Sequence, residues 1–372
     1  MIACWCAAAL MAGDAGAAAR AGAEWLLQMQ QADGTFLYGW MPARHAPLPG
    51  DQPLRQAGAA LALARAGREL DDRRFTAAAE RAFRTLLARR SALPPDIANP
   101  TGFAALLLIG LAEFAPPPPE FRAVRRELSA FLQRQQRADG SFRVGAGRAE
   151  DAGDDPPGNI PFYAPQALLG LLRQQTCEPR PELLAAARKG FAWQRRWWED
   201  HPHEAFPPWM IPACAELHAA TNDRGVTALA FELAEWCLEL QHGAGAAPEW
   251  RGGFGTFQDG RRWATPPGSA TASFCEGLGA AAALAAKVGD RSKAERYVAA
   301  CRAGAMFLQS LQFMPERLEH FVPAARPRLS GGFPASLDDG NLRIDQNQHA
   351  VCALLALRMA ARGSDTMALR KH

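Results

Sequence analysis

Residues 26–36 read LLQMQQADGTF and residues 132–142 read LQRQQRADGSF, so one phrase is written twice in distant parts of the chain. Fainter copies, GGFG at 252–255 and GGFP at 331–334, follow further on. Self-similarity of this kind marks a repeat architecture, because a unit that cannot bury its own apolar face must stack against copies of itself. Each copy of the phrase closes an amphipathic stretch, and six such stretches can be read, over 16–31, 73–89, 119–136, 181–198, 223–242 and 291–312. Apolar residues at helical spacing give each one face to bury.

Between them lie stretches of a different kind, beginning at Arg55, Thr101, Tyr163, Ile211, Thr271 and Gln346. They are rich in Ala and Gly and apolar nearly all round, as in TGFAALLLIGLAEF and QNQHAVCALLALRMA. A helix with no polar face is buried on every side, and small residues let backbones approach closely. Six amphipathic helices alternating with six apolar ones predict an all-α fold, an (α/α)6 toroid with an Ala/Gly-rich inner ring inside an amphipathic outer ring. The turns supply Gly for positive φ and a Phe to fill the gap between units. Nothing marks a domain boundary, so a single domain over 1–372 is expected, with residues 1–15 a flexible or weakly signal-like segment that lacks the usual basic residues.

Composition removes several functions. Lys and Arg number 41 against 38 Asp and Glu, a net charge of +3 spread among acids, which gives no electrostatic case for nucleic acid. No uninterrupted apolar stretch is long enough to span a membrane. The eight cysteines, at 4, 6, 177, 214, 237, 275, 301 and 352, form no CxxC pair and read as buried thiols of a reducing compartment. A cytoplasmic location is therefore expected, with secretion left open.

LQRQQRADGSF followed by NIPFYAPQALLGLL, and GGFPASLDDGNLRIDQNQHAVCALLAL, resemble the repeats of the terpenoid cyclase and protein prenyltransferase toroids. That resemblance implies the double ring of helices. It implies less about activity, since the Asp-x-Asp-Asp motif of the cyclases is reduced here to SLDDGN at 336–341. Asp345, His349 and Cys352 are the residue types of the prenyltransferase zinc site, yet they crowd onto one helix, so neither a metal nor any other cofactor is expected. A looser similarity is to the six-barrel carbohydrate enzymes, among them uronate epimerases, polysaccharide lyases and sugar 2-epimerases. Those enzymes place their chemistry at one mouth of the ring.

In such a toroid the starts of all inner helices converge on one end of the central funnel. Glu276 heads a long apolar helix, where burial would bring a carboxyl toward general acid–base range. His349 lies one turn into another, with Asp345 four residues earlier to orient its ring. Tyr163, at the edge of NIPFYAPQALLG, offers a hydroxyl acid. These four are the candidate catalytic residues, although a capping carboxylate, a core histidine or a loop-bonded tyrosine would look the same in sequence. Arg55 could clamp a carboxylate through both its terminal nitrogens, and Gln56, Gln348, His203 and Trp209 are candidate substrate contacts. The cluster WWEDHPHEAFPPWM, with Trp198, His201, His203, Glu204 and Trp209, reads as an aromatic rim rather than a metal site. The function expected is an enzyme acting on a carbohydrate, with uronate-containing sugars favoured and epimerase, lyase or hydrolase chemistry open. The alternatives are an isoprenoid cyclase or transferase and a non-catalytic binding toroid. The expected partner is a small-molecule or oligosaccharide substrate.

Overall fold

The structure is a computed structural model that describes residues 14–92, 99–145, 155–258, 261–263 and 265–369. Cys4, Cys6 and nearly all of the signal-like segment lie outside the described residues. The outer helices are α1 (Ala15–Met29), α3 (Arg73–Arg89), α5 (Pro119–Gln135), α7 (Pro181–Asp200), α9 (Arg224–Glu239) and α11 (Arg291–Leu311). The inner helices are α2 (Pro53–Glu69), α4 (Pro100–Leu111), α6 (Ile160–Cys177), α8 (Pro207–Thr221), α10 (Gly268–Val288) and α12 (Ile344–Leu369). Each inner helix packs against the inner helices before and after it, and α12 packs on α2, so the inner ring is closed. Each outer helix lies on an inner one, α1 on α12 among them. The (α/α)6 toroid read from the repeats is the fold observed.

Local chemistry sets the helix ends. Asp14, Asp72, Asp223 and Asp290 cap outer helices by accepting from first-turn amides, while Pro119 and Pro181 open two others where no amide donor is needed. Every residue of α4 from Thr101 to Leu111 is buried, as expected of a helix apolar on all sides.

The repeated phrase has a shared hydrogen-bonding function. Gln30 Nε2 donates to the Gly34 carbonyl of its own turn (3.3 Å) and to the Ala78 carbonyl of the neighbouring outer helix (2.8 Å). Gln136 makes the same pair of bonds to Gly140 (3.2 Å) and Ala186 (3.0 Å), and Gln241 to Gly252 (3.0 Å) and Ala300 (2.9 Å). Gln312 bonds Gly331 and, at 3.0 Å, Ala18 on α1, which closes the outer ring. The turn glycines all have positive φ, and a Cβ on any of them would run into the carbonyl of the residue three beyond the bridged alanine, at Arg81, Lys189, Ala303 and Ala21. Gln, Gly and Phe therefore recur because one sideways contact between units recurs. The turn phenylalanines, Phe36, Phe142, Phe254 and Phe333, are at most 2 % exposed.

Among the described residues, five short strands decorate the ring. β1 (Gly39–Met41) lies between β2 (Ala46–Pro47) and β5 (Leu342–Arg343), and its antiparallel pairing of Gly39 with Arg343 brings the first turn against the start of α12. β3 (Thr256–Gln258) and β4 (Arg261–Trp263) form a hairpin leading to α10.

Candidate active site

The N-terminal turns of α2, α6, α8, α10 and α12 surround a cavity of about 510 Å³. Arg55, Tyr163, Trp209, Asp345, Gln348 and His349 line it, so six of the nine residues singled out from sequence come together there from four helices. Gln52, Asn159, Gln166, Ser269 and Ser273 add polar wall, and Phe162 adds an exposed aromatic edge.

Two charged assemblies organise this cavity. In the first, Asp345 accepts from both ends of the Arg343 fork at 2.6 and 3.0 Å and forms an ion pair with Arg55, whose Nε lies 3.0 Å away. Two cations around one carboxylate leave a positive excess on this wall. The Arg55 guanidinium stacks over the Tyr38 ring, 5.4 Å from its centroid. Burial lowers the Arg55 proton affinity and the Arg343 charge adds to that, against the pull of Asp345. Burial likewise raises the Tyr163 hydroxyl above the usual phenol range, with Arg55 opposing. Tyr163 is thus a protonated donor at neutral pH.

The second assembly begins at His349. Its Nδ1 lies 2.7 Å from Glu276 Oε1, and its ring meets Trp209 edge to face at 6.1 Å. Glu276 Oε2 in turn lies 3.4 Å from Arg65 Nη1, and Arg65 donates Nε and Nη2 to Glu113 Oε1 at 3.2 and 3.1 Å. Arg68 reaches the other oxygen of Glu113. Burial works against the Arg65 charge, but acidic neighbours outweigh it and hold the guanidinium above its usual range. Those neighbours are Glu113 and Glu276 in practice, because burial keeps the Cys352 thiol, the other acidic group there, un-ionised. Burial would raise the Glu113 carboxyl, yet Arg65, Arg173 and Arg68 together hold it below the ordinary carboxylate range.

Several expectations from sequence are corrected here. Asp345 does not orient His349, because both its oxygens are taken by arginines; Glu276, from a different helix, occupies that position. Glu276 itself does not line the cavity but stands behind the imidazole. Gln56 is not a substrate contact: at 3 % exposure its side chain clamps the backbone of the first turn, accepting from Phe36 N and donating to Phe36 O, both at 2.8 Å. Asn347 holds Phe333 by the same pair of bonds, and Thr271 holds Phe254 by accepting from its N–H. His203 stays outside the lining, accepting from Ala205 N and meeting the Phe162 ring at 5.9 Å. Trp198 is no rim residue, since it is buried against Phe206 and donates to Glu232 at 3.0 Å.

Sequence reasoning missed Arg65 and Glu113. Each is a lone charge in an otherwise apolar stretch, ALALARAG and LLIGLAEF, which is the signal that could have found them. Among the described residues, no group of three or more His, Cys, Asp or Glu side chains is placed to hold a metal ion, and no helix is long and apolar enough to cross a membrane.

Scanned against protein-family models and against curated proteins, the sequence gives no match. Solved structures do match its fold. The unsaturated glucuronyl hydrolase of Bacillus sp. GL1 superposes with a TM-score of 0.65 at 15% identity, over 92% of this chain and 95% of that one. The α-1,6-mannanase of a Salegentibacter species gives 0.65 at 12% identity, over 93% and 100%. Cellobiose 2-epimerase from Bacillus thermoamylovorans gives 0.65 at 10% identity, over 90% and 95%. All three are carbohydrate enzymes. At such identities the likeness establishes the (α/α)6 toroid.

Proposed function

We propose that the chain, folded as one toroid, is an enzyme acting on a carbohydrate by proton transfer at a sugar carbon, with sugars bearing a carboxylate favoured. The observation that carries this reading is the 2.7 Å contact between Glu276 and the His349 ring at the cavity wall. A carboxylate accepting from Nδ1–H fixes the tautomer and leaves the Nε2 lone pair as a base. Tyr163, kept protonated by burial, is the partner that can return a proton or polarise a carbonyl. The positive excess of Arg55 and Arg343 over Asp345 suits a uronate carboxyl, which a guanidinium can engage through two parallel bonds. The neighbouring folds include a glucuronyl hydrolase and a sugar epimerase, which supports the substrate class.

Hydrolysis fits the residues less well. It generally needs two carboxyl groups flanking the scissile bond. Here Asp345 is held by two arginines, which leaves Glu204 as the cavity carboxylate that forms no ion pair among the described residues. An isoprenoid tail would require an apolar funnel, and the floor behind His349 is instead an ionic assembly of Glu276, Arg65 and Glu113.

Incubating the protein in D2O with neutral and uronate mono- and disaccharides tests the proposal, since reversible proton abstraction exchanges a carbon-bound hydrogen for deuterium, visible by NMR. Exchange or conversion is expected with at least one of the sugars and is lost in His349→Asn and Glu276→Gln, while Arg55→Ala selectively weakens uronates. Retention of turnover by the His349 and Glu276 variants would overturn the assignment, as would the absence of both exchange and thermal stabilisation with every sugar.

A further inference from the structure

We infer that Arg65, gripped from behind by Glu113, is a positioning residue that fixes Glu276 against His349 and sets the charge the imidazole feels. This rests on the proton-transfer reading of the site, but it concerns residues that never meet the cavity. Arg65 lies ten positions beyond Arg55 on α2 and, at 1.5 Å rise per residue, about 15 Å deeper in the ring. Its guanidinium fork spans two carboxylates from different inner elements: Glu113 just past the end of α4 (3.1 and 3.2 Å) and Glu276 in α10 (3.4 Å). The Glu113 side chain is 2 % exposed and is itself pinned by Arg68. Glu276 cannot swing away from the ring without giving up Arg65, so both of its oxygens are committed, one forward and one back.

Behind the ring Arg65 and Arg68 face Glu113 and Glu276, while Arg68 also pairs with Glu69, and Arg173, the third cation at Glu113, pairs with Glu216. The other ionisable groups about His349 are Arg55 on α2, Tyr163 on α6, Glu204 before α8, and Asp345 and Cys352 on its own helix. Asp345 is more than offset by Arg55 and Arg343, an excess that the variants below leave in place, and Cys352 is kept un-ionised by burial. Changes to the deep pair therefore transmit to the ring through Glu276.

A buried salt bridge with a purely mechanical role would affect stability alone; this one predicts shifts of opposite sign. The readout is the pH midpoint of the His349 ring signals, followed by NMR without any substrate. Arg65→Gln removes a positive charge two contacts away and is expected to raise the midpoint by about 1 pH unit or more; Glu113→Gln removes a negative one and is expected to lower it. Arg65→Lys, which keeps the charge, is expected to stay near the wild type. A midpoint unmoved in whichever variant folds overturns the inference. In the wild type, the ring nitrogen shifts at high pH should report the Nδ1–H tautomer, and the opposite tautomer overturns it even if no variant folds. Failure of the sugar panel with these shifts intact would remove the proposed reaction and leave the inference standing; turnover with unmoved midpoints would do the reverse.

Discussion

Replacing Gln312 by Ala tests whether the repeated phrase is written for the sake of its sideways hydrogen bonds. The side chain is 1 % exposed, and Nε2 gives two bonds of 3.0 Å, to Ala18 on the first outer helix and to Gly331 in the following turn. Each such bond is worth about 1 kcal/mol net. The desolvated carbonyls and the space left by the lost amide add about 1 kcal/mol more, for a total of about 3 kcal/mol. The other three bridging glutamines, being only partly buried, should each cost about 2 kcal/mol, because water can reach the groups left behind. Gln31→Ala is the control, since that exposed side chain only touches Thr35 in its own turn, and it should stay within about 0.5 kcal/mol of the wild type. Urea unfolding followed by tryptophan fluorescence reads these differences. With a slope of about 3 kcal/mol per molar, Gln312→Ala should lower the midpoint by about 1 M. A Gln312→Ala midpoint no lower than that of Gln31→Ala would refute the bridging account.

Two further outcomes follow from the geometry. Gly331→Ala and Gly289→Ala both force a side chain into left-handed backbone, at φ 86° and 83°, but only at Gly331 would the new Cβ strike a carbonyl, that of Ala21. The same unfolding assay should show about 1 kcal/mol lost at Gly289 and about 2 kcal/mol or more beyond that at Gly331; equal losses would mean the turn has room to move. Glu113 is held below the ordinary carboxylate range, so its contribution to stability is complete above the unfolded carboxyl value of about 4.3 and disappears as pH falls through the lower folded value. The stability gap between wild type and Glu113→Gln should accordingly be constant from about pH 5.5 to 8 and shrink below about pH 4, and a gap independent of acid would contradict the ionic assignment.

The architecture was legible because it is written in local patterns. The helix predicted over 73–89 is Arg73–Arg89, and 181–198 became Pro181–Asp200, since amphipathic spacing and capping residues act within a few turns. The site was legible only in part, because polar residues at the start of an inner helix serve two purposes that look alike in sequence. Gln56, Thr271 and Asn347 face sideways and hold a turn, whereas Arg55 and Gln348, their neighbours at Gln56 and Asn347, line the cavity together with His349. Helical periodicity points to a partner for His349 four residues away on its own helix, but the observed partner is Glu276, 73 residues distant. Contacts across a closed ring leave no periodic trace in a linear sequence. What does leave one is an isolated charge in an apolar helix, and Arg65 carries that mark.

The closure of the outer ring by Gln312 and Ala18 gives the molecule a cyclic rather than a linear order. Arg358 of α12 lies beside Gly16 at the start of α1, so the last inner helix runs past the beginning of the first outer one. In physical terms no unit is the first. A permuted chain that begins at Arg180, between α6 and α7, and joins α12 to α1 by a linker long enough to return from Leu369 to Ala15 would keep every glutamine bridge and every wall of the cavity, because the ring is defined by which neighbours touch and is indifferent to where the polypeptide is cut.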